Sequence, residues 1–202
     1  MWTDEARFTR GGIINQRNYH VWAHQNPRIV RECRFQHEFA INVWLGIWNE
    51  SLVGPYFLPE TLNAARFTDF LENNFFNYLE DIPLQQRIKM WFQLDGCPAH
   101  YGRTTRAWLD INYPQRWIGR GGVVPWPPRS PDLTPMDFFV WGTLKKEVYS
   151  LPIDSREQLR NRIVAAVHQI SPEQCLAAIR AVNVRCNACI AARGQHFEQY
   201  LH

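Results

Sequence analysis

The sequence predicts an α/β fold in which a mixed five-stranded sheet is flanked by helices and followed by extra C-terminal helices. The first third of the chain contains stretches in which apolar and polar residues alternate, the pattern of half-buried antiparallel strands. A later apolar run, Ile88 to Leu94, shows almost no alternation, as expected for a strand buried on both faces in a parallel arrangement. Helical periodicities separate the later strands, which is typical of α/β domains.

Five segments have the composition of strands. In chain order they span residues 1–10, 39–48, 52–58, 88–94 and 123–127. In the third segment, Gly54-Pro55 suggests a bulge or a sheet edge, because proline has no amide hydrogen to donate to a ladder. Prolines also keep the fifth segment short. Residues 19–22 have the composition of a further short strand within an otherwise irregular stretch.

Five segments carry helical signals. The first three are predicted at residues 61–80, 99–113 and 135–149, and the last two begin at Ser155 and Ser171. Ser155 is followed three residues later by Gln158, and Ser171 by Gln174, the spacing of an N-terminal capping box. Gly194 is the expected end of the last helix.

The predicted order of elements, β-β-β-α-β-α-β-α-α-α, matches a ribonuclease H-like mixed sheet. In that arrangement the first strand is central and the fourth strand lies beside it. Asp4 on the first strand and Asp95 at the end of the fourth would then be neighbours at a position where sites form in α/β sheets. Asp137, at the start of a helix packed on the sheet, would reach the same point.

Length and composition favour one packed domain with a short appendage. The chain has 202 residues, of which 46% are hydrophobic and 20% charged. We expect residues 1–150 to form the ribonuclease H-like catalytic domain and residues 151–202 to form a C-terminal helical extension packed on or beside it. No apolar run approaches the ~20 residues that a membrane span needs.

Charge and rare residues narrow the functional classes only slightly. A net charge of +3 permits a nucleic-acid partner without demanding one. The nine Trp residues favour core packing over base stacking. Five Cys residues at irregular spacing suggest free thiols in a reducing compartment. Cys186 and Cys189 form a lone CxxC in a helical pattern, where buried cysteine is favoured over a zinc or redox site.

Asp4, Asp95 and Asp137 are the candidate catalytic residues and metal ligands. Phosphodiester cleavage requires stabilisation of the negative charge on the attacking and leaving oxygens. Two magnesium ions about 3.5–4 Å apart provide it. Magnesium prefers oxygen ligands and keeps several waters, so three carboxylates suffice as the protein's share.

Each of these acids also has a purely structural interpretation. Asp95 precedes a glycine in an ordinary turn dipeptide, Asp137 fits a capping box with Thr134 as N-cap, and Asp4 fits an exposed strand position. His100 follows Asp95 by five residues, and the alternatives for it are a place near the metal or a local hydrogen bond at a helix start. Three other carboxylates fit equally well by composition: Glu5, Asp110 and Asp132.

The three acids lie in distinctive segments: Thr3-Asp4-Glu5-Ala6-Arg7-Phe8-Thr9, Gln93-Leu94-Asp95-Gly96-Cys97-Pro98-Ala99-His100, and the stretch from Trp126 to Phe139. The last contains the run Ser-Pro-Asp-Leu-x-Pro-x-Asp, which is long and specific. In sequence, order and spacing, these segments resemble mariner-type DDE transposases. The resemblance covers nearly the whole chain. It implies a ribonuclease H-like fold and magnesium-dependent cleavage and joining of DNA strands at transposon ends.

Position by position, the resemblance puts the metal carboxylates on Asp4, Asp95 and Asp137. It implies magnesium as the cofactor, or manganese in its place, DNA as the partner, a homodimer as the assembly and the nucleus as the location. Relatives often have Glu as the third acid or a shorter gap before it. Here the third acid is Asp, and 41 residues separate Asp95 from Asp137. We expect the extra residues to lie between Tyr113 and Gly122.

Members of the family carry a helix-turn-helix DNA-binding region before the catalytic domain, whereas this sequence begins within the first predicted strand. The resemblance therefore suggests a truncated copy, or an incomplete gene model, that binds DNA weakly and without sequence preference. An alternative from another class is a host-recruited nucleic-acid-binding module that no longer cuts. A generic metal nuclease of the same fold is a third interpretation, which the family-like segments disfavour. Retention of all three acids favours the enzyme.

Overall fold

The computed structural model describes residues 1–12 and 39–201, and the short strand predicted at residues 19–22 lies outside this part. The described strands are β1 Trp2–Thr9, β2 Ala40–Trp48, β3 Ser51–Leu58, β4 Phe92–Gln93 and β5 Trp117–Ile118. The described α-helices are α1 Ala64–Asn73, α2 Leu84–Arg87, α3 Arg103–Asn112, α4 Gly142–Val148, α5 Arg156–Gln169 and α6 Pro172–Ala191. Shorter helical segments are 3-10 helices at Phe75–Leu79, Pro131–Leu133 and Glu198–Tyr200, and a π-helix at Met136–Trp141.

β1 lies at the centre of one mixed sheet, whose strand order is β3-β2-β1-β4-β5. It pairs antiparallel with β2 along its whole length, from Trp2 opposite Ile47 to Thr9 opposite Ala40. On its other side it pairs parallel with β4, where Trp2 lies opposite Gln93. These pairings confirm the predicted fold class, including the central first strand with the fourth strand beside it.

Helices cover both faces of the sheet, so the core has two halves. On one face, Trp44 of β2 packs against α1, with its ring centroid 4.9 Å from that of Phe70. On the other face, Leu45 belongs to a cluster with residues of the π-helix, α4 and α5, among them Val140 and Ile163. Because both faces are covered, β2 is apolar at nearly every position.

The fourth strand is shorter than the apolar run at residues 88–94 predicted. Only the two residues of β4 pair in the sheet. The chain before them forms α2, which follows Pro83 and ends at Arg87. Ile88 is 57% exposed, whereas Met90 is buried in the core, so the first half of the apolar run lies outside the sheet but only partly at the surface.

The fifth strand lies earlier in the chain than predicted. The prediction of a strand at residues 123–127 was wrong, because β5 is formed by Trp117 and Ile118. Val124 makes only an isolated bridge with Ile118, and the two prolines of that segment lack the amide hydrogens that a ladder needs. Trp117 is buried, and its Nε1 donates a hydrogen bond to Asp110 Oδ1 of α3 at 2.9 Å.

Three other elements are irregular. At Gly54-Pro55 the register between β2 and β3 shifts, and β3 is an edge strand, so this prediction is confirmed. The helix predicted at residues 61–80 is divided at Asn74 into α1 and a 3-10 helix. The helix predicted at residues 135–149 begins with a π-helical turn before α4.

The last two helices begin where the capping signals predicted. Ser155 Oγ accepts a hydrogen bond from Gln158 N at 3.1 Å, and Ser171 forms a reciprocal capping box with Gln174. α5 contributes Ile163 to the same core half as β2, so residues on both sides of position 150 share one core. The domain division at that position stays a prediction. Among the described residues, no helix is both long and apolar enough to span a membrane.

Candidate active site

Asp4 and Asp95 occupy equivalent positions on two neighbouring strands. Trp2 of β1 lies opposite Gln93 of β4 in the parallel ladder, and each acid follows its strand's paired residue by two positions. Thr3 Oγ1 donates a hydrogen bond to Gln93 O at 2.7 Å, which ties the two strands together next to the acids. The register of β1 with β4 therefore brings Asp4 and Asp95 to the same end of the sheet.

Asp4 is a half-buried carboxylate held by an indole. Trp141 Nε1 donates a hydrogen bond to Asp4 Oδ2 at 2.7 Å, which fixes one carboxylate oxygen. Burial, followed by the negative charges of Glu5 and Asp137, raises the pKa of Asp4 to about 8, and the hydrogen bond from Trp141 only partly opposes this. Asp4 is therefore costly to ionise in the folded protein unless a cation joins it.

Asp137 begins a helix without capping it. It lies in the first turn of the π-helix, which also carries Trp141. Thr134 Oγ1 accepts a hydrogen bond from Met136 N at 3.1 Å. The backbone N–H of Thr134 donates to Pro131 O at 3.4 Å, so it is not bound by Asp137 as a capping box would require. The carboxylate of Asp137 is thus available for another role.

The charges of the three acids act on one another. Burial and the charge of Asp95 raise the pKa of Asp137 to about 6, although the charge of Lys145 opposes them. Asp137 is in turn one of the charges that raise the pKa of Asp4. The structure thus brings the three candidate ligands within electrostatic range, with Asp137 linking the other two. Their role as metal ligands stays a prediction.

Asp95 combines a turn with a contact to a buried histidine. Its Oδ1 accepts a hydrogen bond from Cys97 N at 2.8 Å, the turn geometry expected of Asp before Gly96. The same oxygen lies 2.7 Å from His100 Nδ1. Burial acts to raise the pKa of Asp95, but the hydrogen bond and the charge of His100 outweigh it and lower this pKa. Asp95 is therefore ionised, and His100 orients it.

Glu5 holds the other side of His100. The histidine is 3% exposed, its Nε2 lies 2.9 Å from Glu5 Oε2, and its ring centroid lies 4.6 Å from that of Phe67. Burial acts to lower the pKa of His100, but the charge of Glu5, the hydrogen bond to Asp95 and the charge of Asp95 outweigh it, so this pKa is raised well above its ordinary value. His100 is thus an imidazolium between two carboxylates.

The chain of contacts from Glu5 through His100 to Asp95 is the part of the site that sequence analysis did not identify. Side chains alternate along β1, so Glu5 points to the face of the sheet opposite to that of Asp4. A carboxylate on a buried strand face needs a partner, and this requirement was the available signal. The sequence could not identify the partner, because His100 reaches Glu5 only through the pairing of β1 with β4.

We expect His100→Ala to destabilise the fold, because it leaves the Glu5 carboxylate buried without its cation. Removing one partner of a buried ion pair typically costs about 3–5 kcal/mol. Adding Glu5→Gln to His100→Ala should recover much of the lost stability, since neither position of the pair then carries a buried charge. Folding raises the pKa of His100. The contribution of the His100–Glu5 pair to the free energy of unfolding is therefore complete at pH values below the pKa of the unfolded state, and it is lost as pH rises through the pKa of the folded state.

Urea unfolding of both single variants and the double variant at pH 6 measures this coupling. The double variant should be more stable than His100→Ala alone. Destabilisations that simply add would contradict the ion pair and leave His100 as a packing residue.

The donor set at the strand ends suits a hard divalent cation. Magnesium binds carboxylate oxygens, and Asp4, Asp95 and Asp137 supply three carboxylates. Within residues 1–12 and 39–201, neither Asp4 nor Asp137 forms an ion pair with a basic side chain. Both have raised pKa values, and a cation between them would relieve the cost of ionising them. The residues present therefore fit such a metal.

The carboxylate oxygens of Asp4, Asp95 and Asp137 do not all lie within 4.8 Å of one another. Among the described residues, the group of three ligand-type side chains that does meet this distance is Asp95, Cys97 and His100. Asp95 Oδ1 and His100 Nδ1 already contact each other at 2.7 Å, and His100 Nε2 faces Glu5 at 2.9 Å. Because these atoms are engaged with one another, the three aspartates are the better candidate for a metal site.

Comparison with known proteins places the chain in a family. Residues 1–160 match the family model described as DDE superfamily endonuclease. The chain is also similar to the Tc3 transposable-element transposase of Caenorhabditis elegans, with 23% identity over 196 residues that cover 96% of this chain and 56% of that protein.

Solved structures have the same fold. A pre-cleavage Mos1 transpososome has a TM-score of 0.75 at 22% identity, covering 97% of this chain and 56% of that one. The Mos1 transposase catalytic domain with raltegravir and Mg has a TM-score of 0.67 at 24% identity, covering 80% of this chain and 78% of that one. The chain spans about half the length of the Tc3 relative. Because the family match extends over most of its residues, the chain belongs to the DDE superfamily endonucleases.

Proposed function

We propose that this chain cleaves and joins DNA strands by phosphoryl transfer, with Asp4, Asp95 and Asp137 as the ligands of magnesium. The observation that carries the proposal is the parallel pairing of Trp2 with Gln93, which brings Asp4 of β1 and Asp95 after β4 to the same end of the sheet. The charge of Asp137, on the π-helix, acts on Asp4, and the charge of Asp95 acts on Asp137. Membership of the endonuclease family supports the reaction class.

Each acid has a support that would hold it in place for a metal. Trp141 binds one oxygen of Asp4, and His100 binds one oxygen of Asp95. Asp137 is carried by a helical turn whose buried residues anchor it to the core. Such outer contacts orient metal ligands. Two divalent ions, when bound, would relieve the charge on the attacking and leaving oxygens of a phosphodiester.

The descriptions of the similar structures support the choice of metal and partner. Two are described as the Mos1 transposase catalytic domain with Mg and with Mn, and we propose magnesium here, with manganese able to replace it. Another is described as a Mos1 paired-end complex with the left transposon end. We propose DNA as the substrate of this chain and a homodimer as the unit that would hold two ends.

The test is metal-dependent nicking by the 202-residue chain. Supercoiled plasmid should be nicked in magnesium or manganese and stay intact in EDTA. Calcium is the control for charge neutralisation, because it binds carboxylates with a different ligand number and geometry. Nicking that persists in EDTA would contradict the metal site. DNA binding without nicking in either metal would favour a binding module that no longer cuts.

A further inference from the structure

A tyrosine beside the candidate active site has two guanidinium groups packed against its ring. Arg106 Cζ lies 4.6 Å from the centroid of the Tyr101 ring, and Arg120 Cζ lies 4.2 Å from it. Tyr101 is 36% exposed, and Arg120 is exposed as well. We call Tyr101, Arg106 and Arg120 the arginine–tyrosine cluster.

Two glycines build this cluster by folding the loop after β5 back onto Tyr101. Gly121 has a φ of +85°, and a Cβ there would lie 3.3 Å from Tyr101 Cε2, so the loop backbone packs on the tyrosine ring. A Cβ on Gly122 would lie 2.7 Å from Trp117 Cε3, which excludes a larger residue. This loop belongs to the stretch in which the sequence predicted extra residues relative to the family.

The cluster lies at the same end of the sheet as the three aspartates. β4 and β5 are parallel, with Gln93 opposite Ile118. Asp95 and Arg120 each follow these paired residues by two positions. Tyr101 directly follows His100, whose Nδ1 contacts Asp95. The carboxyl ends of neighbouring parallel strands lie at the same end of the sheet, so the arginines of the cluster and the aspartates lie at that end.

The two arginines of the cluster have no carboxylate partner. Among the described residues, neither Arg106 nor Arg120 forms an ion pair. Asp110, one helical turn beyond Arg106 on α3, instead accepts a hydrogen bond from Trp117. Arg106 Nε is buried without a hydrogen-bond partner. Two like charges held on one ring repel each other, and an anion between them would remove the repulsion.

We propose that the arginine–tyrosine cluster binds a backbone phosphate of a DNA strand that enters the candidate active site. A guanidinium group presents two parallel N–H donors that match phosphate oxygens. Because Arg106, Arg120 and the loop at Gly121 all pack against the Tyr101 ring, we place the ligand on the guanidinium groups rather than on the ring. The contact is therefore to the backbone and independent of sequence. This inference rests on DNA being the substrate proposed above.

The test measures DNA affinity against salt concentration for Arg106→Gln and Arg120→Gln. Fluorescence anisotropy with a labelled duplex in EDTA reads binding without cleavage. Because both arginines contact the same phosphate, each substitution should lower the slope of log affinity against log salt by up to about one unit, the share of one phosphate contact. Arg120→Lys keeps the charge but loses the paired donors, so it should retain most of the slope while binding more weakly than the parent.

Arg160→Gln is the matched control. Its guanidinium also lies over an aromatic ring, with Cζ 3.9 Å from the centroid of Phe57. Phe57 belongs to β3, at the opposite edge of the sheet from β5. The control should keep the parental affinity and slope. Unchanged melting temperatures would show that all variants are folded.

The outcomes separate this inference from the proposed function. If the parent binds DNA but the Arg106 and Arg120 variants keep its slope, the phosphate site is wrong while the nuclease proposal stands. If the variants show a reduced slope of log affinity against log salt but the parent never nicks DNA, the phosphate site stands and the nuclease proposal fails. A parent that does not bind DNA at all overturns both.

Discussion

Asp95→Asn should abolish metal-dependent nicking and leave the fold nearly as stable as the parent. Asparagine has the same shape and is equally at home before Gly96 in a turn. Its side-chain oxygen still accepts hydrogen bonds from Cys97 N and His100 Nδ1, the two partners of Asp95 in the structure. What is lost is the negative charge, which would hold a metal and which also pairs with His100. The cost in stability should stay small, because Glu5 still faces His100 and the Asp95 side chain is 41% exposed, so solvent screens its pairing. Loss of one member of a catalytic unit reduces rates by on the order of 10³-fold or more.

Asp137→Asn should have the same effect on nicking, also with little effect on stability. Losing a helix cap costs ~1 kcal/mol, but Thr134 provides the cap here, and Asp137 makes no capping hydrogen bond. The variant therefore separates the two interpretations of Asp137 that the sequence left open.

Nicking rate and melting temperature should be measured for both variants beside Asp132→Asn. Asp132 lies in the 3-10 helix before the π-helix and has no part in the proposed metal site, so its variant should nick like the parent. If Asp95→Asn and Asp137→Asn nicked as well as the parent, both acids would be turn and helix residues only. A loss of nicking in all three variants would point to damage to the segment rather than to metal binding.

Asp4→Asn should raise the melting temperature of the metal-free protein above neutral pH. The pKa of Asp4 rises from an ordinary value of 3.8 to about 8 on folding, mainly through burial. The folded state then binds a proton that the unfolded state has released, so stability falls as pH rises from about 4 to about 8. Asparagine has no charge to bury and can still accept the hydrogen bond from Trp141. Each kcal/mol gained should raise the melting temperature by roughly 2–4 °C.

Magnesium should reverse the order of the melting temperatures of the parent and Asp4→Asn. A cation at the site stabilises the ionised carboxylates, so millimolar magnesium should raise the melting temperature of the parent at pH 8. The same addition should change Asp4→Asn much less, because one ligand has lost its charge. Asp137, whose pKa is raised to about 6, contributes a smaller dependence of the same sign between about pH 4 and pH 6.

Thermal unfolding of parent and Asp4→Asn from pH 5 to pH 9, in EDTA and in magnesium, provides the measurement. The contribution of His100 is present in both proteins and therefore cancels in the difference. A parent whose stability does not fall with pH in EDTA, and which magnesium leaves unchanged, would contradict a buried metal carboxylate at this position.

The sequence by itself determined the features that depend on residues close together in the chain. Alternation and composition predicted the mixed sheet, because they report which strand faces are buried. The capping signals at Ser155 and Ser171 predicted two helix starts, because a cap involves only residues three positions apart. The acid-containing segments predicted the family, because they carry their pattern in consecutive residues. Asp4, Asp95 and Asp137 were named on these grounds.

Only the tertiary structure decided which distant residues meet. β4 and β5 are two residues long, too short for any periodic signal, and packing rather than local pattern selected Trp117 over the segment at 123–127. Glu5 and His100 lie far apart in the chain and meet because β1 pairs with β4. Arg120 reaches Tyr101 because two glycines turn the loop after β5. Side-chain contacts of this kind depend on strand register and loop path, which no single stretch of sequence specifies.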